Sequence, residues 1–399
     1  MNKLLLTAAI CAAFGSAHAE LVNDGNLSIS GFGTLGVAKA DLAQGQFVRY
    51  NQASGASDSP RIDLDSNLGL QASYKINDSL SGTVQILTRK NTSPEFTTDL
   101  TWAFLKYRIN DEFSVRVGRM VQPTFMISDY QNVGYANTMM RPPVEMYSQA
   151  PIEAADGADL TYQHAFGDTN FSAQGYAGTS RGKLFTSTTL SVGTYRNPVM
   201  GLTLTAEHGP LTLRLAHNRV EINSNSVPID QLLDRVSTLG YPGLAADLTL
   251  KSHKHIAFTS LGLALDWNNI VAQAEYAQRR SRDKSFLADV NTWYAMAGYR
   301  FGKILPYYAH AANHDVGHSI SLPPAFLATP LAGAISGLIK ATEQKTDLIG
   351  VRWDFAKNVA LKVQVDRVSP ITKSGMLAYT PANYTQKVTV VAASLDFVF

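Results

Sequence analysis

Val391-Ala392-Ala393-Ser394-Leu395-Asp396-Phe397-Val398-Phe399 decides the fold. A β-strand turns successive side chains to opposite faces. Val391, Ala393, Leu395, Phe397 and Phe399 therefore share an apolar face, with Ser394 and Asp396 on the other. The pattern recurs upstream. Leu361, Val363 and Val365 alternate with Lys362, Gln364 and Asp366, and Leu211, Leu213 and Leu215 with Thr212 and Arg214. Ile62 and Leu64 alternate in the same way with Asp63 and Asp65. Period-two alternation predicts strands that are dry on one side and wet on the other.

The segments between these strands come in two kinds. Tight turns are expected at Ile76-Asn77-Asp78-Ser79, Asn110-Asp111, Gly167-Asp168, Gly209-Pro210, Asn268-Asn269, Gly302-Lys303 and Ala356-Lys357-Asn358. Asn, Asp and Gly tolerate the left-handed backbone that short hairpins need. Longer polar loops lie between them, centred near residues 40–60, 90–97, 121–156, 181–198, 223–253, 282–288, 314–343 and 370–384. Strict alternation of short turns and long loops predicts an up-and-down antiparallel barrel. The count is sixteen strands, or eighteen if Thr188 to Tyr195 hides a further one.

The amino terminus sets the compartment. Lys3 precedes an apolar run from Leu4 to Phe14, and Ala17-His18-Ala19 fits the small-x-small pattern of a cleaved signal peptide. Residues 1–19 are thus expected to be removed, leaving a mature chain of residues 20–399. The run is too short for a transmembrane helix. Ile10 is the wrong residue to precede a lipidated Cys11, the only cysteine, so the mature chain would hold no disulfide and no thiolate chemistry. Net charge is +2 at pH 7, which argues against nucleic acid as a partner.

Ser319 to Ile339 is the longest uncharged stretch, but Pro323, Pro324 and Pro330 break it as a spanning helix. Only helices and closed barrels satisfy every backbone group in lipid. Aromatic residues gather beside the tight turns, at Tyr74, Tyr107, Phe113, Phe166, Trp267, Phe301, Phe355 and Phe397. Rings at that height form an interfacial girdle. The reading is an all-β transmembrane barrel.

Four short stretches carry a family resemblance over essentially the whole mature length: Gly31-Phe32-Gly33-Thr34-Leu35, Ser66-Asn67-Leu68-Gly69-Leu70 with Ile76-Asn77-Asp78, Phe113 to Arg119 ending in Val117-Gly118-Arg119, and Leu395 to Phe399. The chain resembles the Gram-negative general porin superfamily. It departs from that pattern at Asn67, which stands where the family usually has arginine.

The resemblance implies a sixteen-stranded homotrimer in the outer membrane of a Gram-negative bacterium, passing small hydrophilic solutes and ions with no cofactor. It implies that the third extracellular loop, residues 121–156, folds into the lumen. The other reading of that segment is a long surface flap. It further implies that the terminal aromatic segment, Leu395, Phe397 and Phe399, is read by the barrel insertion machinery. An arginine facing lipid at mid-membrane costs about 2–4 kcal/mol. Arg61, Arg89, Arg116, Arg214 and Arg352 fall on the polar parity of their segments and are expected in the lumen. Arg119 breaks parity with Arg116, so either a bulge sits at Gly118 or Arg119 lies beyond the lipid zone, and the resemblance implies a place in the lumen. Asp129 and Glu145 on the long loop are expected to oppose them, and the bland reading of each arginine is a wall residue bonded to a carboxylate.

Two histidine groups, His253 with His255 and His310 with His314 and His318, read as solvated loop residues, because glycine and proline interrupt any helical metal spacing. Three function classes follow: a diffusion channel, a substrate-selective channel or receptor, and a barrel enzyme. The last would need a serine, histidine and carboxylate constellation that the sequence does not display, and no Gly-x-Ser-x-Gly elbow is present. The apolar 314–343 loop keeps the second class open.

Overall fold

The computed structural model describes residues 22–186, 190–251, 254–317, 320–339, 342–381 and 383–399. The expected signal peptide, and His253 and His318, lie outside them. Sixteen strands form a closed antiparallel ring: β1 Leu27–Ala40, β2 Asn67–Lys75, β3 Leu80–Lys90, β4 Phe96–Arg108, β5 Phe113–Val121, β6 Ala154–Phe166, β7 Thr169–Thr186 and β8 Ser191–His208, then β9 Leu211–Ile222, β10 Lys254–Trp267, β11 Ile270–Ser281, β12 Asp289–Tyr299, β13 Ile304–Gly317, β14 Gln344–Ala356, β15 Val359–Pro370 and β16 Val388–Val398. Two very short strands, Val22–Asp24 and Ser224–Asn225, extend the sheet beside β1 and β8. Gln46–Phe47 pairs with Leu377–Ala378 across two long loops.

The wall is inside out. On β15, Lys362, Gln364 and Asp366 are buried, while Val363 between them is 46% exposed. On β9, Thr212 and Arg214 are buried and Leu213 and Leu215 exposed. A water-soluble domain would do the reverse. Exposed rings cluster by the tight turns, Phe166, Trp267 and Phe301 each more than half exposed. All seven expected turns join adjacent strands, and at Asn268-Asn269 both residues take positive φ, the mirror-image hairpin geometry that matches strand twist.

Two expectations fail. Residues 181–198 are not a long loop: β7 runs to Thr186 and β8 begins at Ser191, paired along their whole length. Polar and small residues there serve a ladder standing above the lipid, where alternation no longer needs an apolar face, and the described residues hold no further strand pair. Residues 62–65 are a turn rather than a strand. Asp63, Leu64 and Asp65 are all buried there, so the alternation was coincidental.

Closure rests on β1 and β16. Phe32 to Ala40 pair with Val398 to Val390, and Gly31 and Phe399 exchange both backbone hydrogen bonds, at 2.7 and 2.9 Å. A Cβ on Gly33 would sit 2.5 Å from the Phe397 ring, and one on Gly31 2.4 Å from that of Phe399. The two glycines are therefore the seats of the two terminal rings. Gly33→Val is expected to lower the folded fraction seen by heat-dependent gel mobility, and adding Phe397→Ala to restore part of it. Equal folding of Gly33→Val and the unaltered chain would remove the ring-on-glycine contact from the closure.

Candidate functional site

Residues 121–156 join β5 to β6, yet their bonding partners lie all round the barrel. Thr203 of β8 and Ser260 of β10 donate to the carbonyls of Pro123 and Thr124. Glu275 of β11 accepts from the Met126 amide at 2.8 Å, and Thr292 of β12 donates to the Glu145 carbonyl. Lys362 of β15 donates to the carbonyls of Gly134, Asn137 and Met139, and Gln364 accepts from the Met140 amide. Every one of these strand residues is buried on the inward parity of its strand. The apolar side of the segment, Phe125, Met126, Ile127, Met146 and Tyr147, packs against Tyr294, Met296, Tyr307 and Leu348. One short helix, α1 Val144–Tyr147, lies within it.

Arg141 is the centre of this packing. It is 3% exposed and bonds both oxygens of Asp65, at 2.7 and 2.9 Å, and one of Asp366. Beside it, Lys362 pairs with Asp396 at 3.0 Å, and Thr34 of β1 donates to Asp396 at 2.7 Å. Five charged side chains from loop and wall thus form a continuous buried set. Burying charge is costly unless it is paired, and each of these is.

The arginines expected in the lumen are all paired. Arg89 bonds both oxygens of Glu153 at 2.8–2.9 Å and also Asn132. Arg116 holds Asp159, and Arg214 holds Asp129 at 2.9 Å. Arg352 bonds Asp354 and the carbonyls of Tyr135 and Asn137, and Arg61 pairs with Asp63 in the loop after β1. Arg119 bonds Asp156, which also takes Arg181. Gly118 has a φ of 136°, but pairing continues through it without an inserted residue, so Arg119 keeps the parity of exposed Val117. The β4–β5 ladder ends at Ala103 and Arg119, and the guanidinium reaches across to the Leu100 carbonyl.

Glu145 is 1% exposed and accepts from Gln344 at 2.6 Å and from Thr346. Burial pushes its carboxyl above the usual range despite those donors. Glu153 is also desolvated, but the Arg89 guanidinium outweighs that and holds it below the usual range. Asp129 is more open, its side chain 28% exposed. A cavity of about 410 Å³ remains between residues 128–133 of the segment and strands β3, β4 and β5. It is lined by four cations, Arg89, Arg119, Arg181 and Lys183, and by four carboxylates, Asp99, Asp129, Glu153 and Asp156.

A family model described as Gram-negative porin matches residues 6–369. The chain belongs to the Gram-negative porin family. It is an outer-membrane channel of a Gram-negative bacterium that supports passive diffusion. No curated protein matches the sequence. Among solved structures, the porin resembles an anion-selective porin from Comamonas acidovorans, with 12% identity, 94% of this chain and 99% of that one covered, and a TM-score of 0.55. It also resembles Salmonella typhi OmpF in complex with daunomycin, at 15% identity, 95% and 100% coverage and a TM-score of 0.54. The trimer form of Vibrio cholerae OmpT matches at 13% identity, 94% and 100% coverage and a TM-score of 0.53. At such identities the likeness concerns the fold.

Asp65, Arg141, Lys362, Asp366 and Asp396 were missed as a connected set. Their only sequence signal was polar residues on the wet parity of β15 and β16, which says nothing of a partner on a distant loop. Among the remaining histidines, His255 bonds Asp283 and His310 bonds Asp347.

Breaking a buried ion pair costs about 3–5 kcal/mol. Arg141→Gln leaves Asp65 and Asp366 buried without their cation, and residues 125–148 of the folded porin should become open to protease that the unaltered barrel resists. Continued resistance would show that the segment is held without Arg141. A carboxyl raised by burial favours the folded state at low pH and loses that contribution as pH rises through its folded-state value. Glu145→Gln mimics the protonated acid. Its gain in thermal stability over the unaltered porin should be largest near pH 8 and vanish on acidification, and a gain independent of pH would contradict the desolvated carboxyl.

Proposed function

We propose that residues 121–156 narrow the lumen, and that small hydrophilic solutes and ions pass through the remaining gap beside β3, β4 and β5. The observation that carries this is the bonding of the segment to inward side chains on β8, β10, β11, β12 and β15. A surface flap would have no reach to those positions. Nothing in the reading calls for an enzyme, and a homotrimer is part of it, by family likeness and the trimer form of the OmpT neighbour. So are cleavage after Ala19 and reading of Leu395, Phe397 and Phe399 by the insertion machinery.

The charges support only weak ion selectivity. One unit charge about 8 Å from an ion in bulk-like water contributes about 0.5 kcal/mol, and salt screens it further. Tenfold selectivity needs about 1.4 kcal/mol. Four cations facing four carboxylates nearly cancel. Single substitutions therefore act by uncovering a partner. Arg89→Gln frees Glu153 and should move the reversal potential toward cations. Asp129→Asn frees Arg214 and should move it toward anions, whereas Glu145→Gln, remote from water, should leave it nearly still.

Shortening residues 125–148 should raise single-channel conductance several-fold in a planar bilayer, well beyond the effect of any charge substitution. Unchanged conductance would remove residues 121–156 from the diffusion path.

A further inference from the structure

At the loop end of the barrel the polar-inside rule reverses. Deep on β9 the inward positions are Thr212, Arg214 and Asn218, but nearer the mouth the same parity carries Val220. On β10 it carries Phe258 and Ile256 above Ser260, and on β12 Val290 above Thr292. An aqueous vestibule gains nothing from such side chains, because apolar surface is costly to wet.

They line a cavity of about 350 Å³, within the range of small-molecule sites. Above it two long outer loops fold into helices, α2 Val227–Thr238, α3 Pro242–Leu248, α4 Pro324–Leu327 and α5 Ala332–Ile339. Leu233, Val236 and Leu248 pack with Phe326 and Ile335 in one apolar cluster, and Tyr241 meets Phe326 edge-on at 5.1 Å. The cap has a core of its own and is a fixed wall of the cavity, contributed to it by Ile229 and Leu338.

The unpartnered polar atoms on this cavity can all donate a hydrogen bond. Three buried donors on its lining, Arg49 Nη2, Gln122 Nε2 and Ser226 Oγ, have no hydrogen-bond partner. Arg49 is 8% and Gln122 4% exposed. Arg279, inward on β11, donates to the Ala288 carbonyl, while the one lining carboxylate, Asp230, is paired with Lys251 at 2.9 Å. A buried donor left unsatisfied is costly, so the site asks for an acceptor, and its cations ask for a charged one.

We propose that this vestibule binds amphipathic monocarboxylates, an aromatic ring or short alkyl chain bearing one carboxylate. The carboxylate is taken by Arg49, Gln122 and Ser226, and the apolar body lies on Phe258, Ile256 and Val220. The proposal builds on the diffusion path above: it adds a selective antechamber to a general pore, which concentrates one class of solute at the mouth.

The test uses the full refolded porin in detergent, titrated calorimetrically with 3-phenylpropionate, 3-phenylpropionamide and acetate, and in planar bilayers with the same three solutes. Saturable binding is expected for phenylpropionate alone, with a saturable fall in ion current at the same concentrations. Arg49→Gln should weaken it at least tenfold. Gln122→Leu gives a second reading should Arg49→Gln fold poorly. Phe258→Thr should weaken phenylpropionate and leave the response to acetate unaltered. Equal response to acid and amide, or binding indifferent to Arg49 and Gln122, would overturn the proposal. Calorimetric binding does not depend on conduction, so failure of the constriction reading, seen as unchanged conductance on shortening the loop, is read separately.

Discussion

In hydrocarbon a backbone N–H has no water to fall back on, and each unpaired group costs several kcal/mol. The ladder between β1 and β16 removes that cost from the two strands that would otherwise be edges. Every other feature depends on it. Once the ring is closed, its outer parity must be apolar and its inner parity is free to hold charge. The glycines at 31 and 33 give up their own side chains so that Phe399 and Phe397 can lie against them, which adds apolar contact at the seam where the two ends of the sheet meet.

The freedom of the inner parity is used mainly to hold a loop. Lys362, Asp366 and Glu275 are wall residues whose charge is spent on the backbone and side chains of residues 121–156. Bonded to several strands at once, the segment is held as a rigid part of the barrel. Little net charge is left to select ions, since each arginine expected in that role already has its carboxylate. Asn67, standing where relatives by resemblance carry an arginine, fits a lumen in which cation and carboxylate counts match.

Nearer the long-loop end of the barrel the logic changes again. Strands β7 and β8 rise past the lipid, and their neighbours turn apolar side chains inward beneath helices formed by the outer loops. That region has the composition of a small-molecule pocket rather than of an aqueous funnel. The gradient from apolar mouth to paired-charge waist is what a chain would need to gather an oily anion and then pass it through water.

Alternation of residues such as Leu361 to Asp366, with turns at Asn77, Asn110 and Asn268, determined the barrel and its short-turn end by itself and left sixteen or eighteen strands, because strand parity is a local property and lipid enforces it at every position. The same locality explains the errors. Residues 62–65 alternate by chance, and β7 and β8 leave the lipid where the rule lapses. Inward parity located Arg89, Arg116, Arg214 and Arg352 but could not say that each was already paired. Only the tertiary structure decided that Arg141 would meet Asp65 and Asp366, or that Glu145 would be buried against Gln344 and Thr346. Those contacts join residues 76 to 225 positions apart, and the energy that selects them, desolvated charge finding its partner, exists only after the barrel has closed around them.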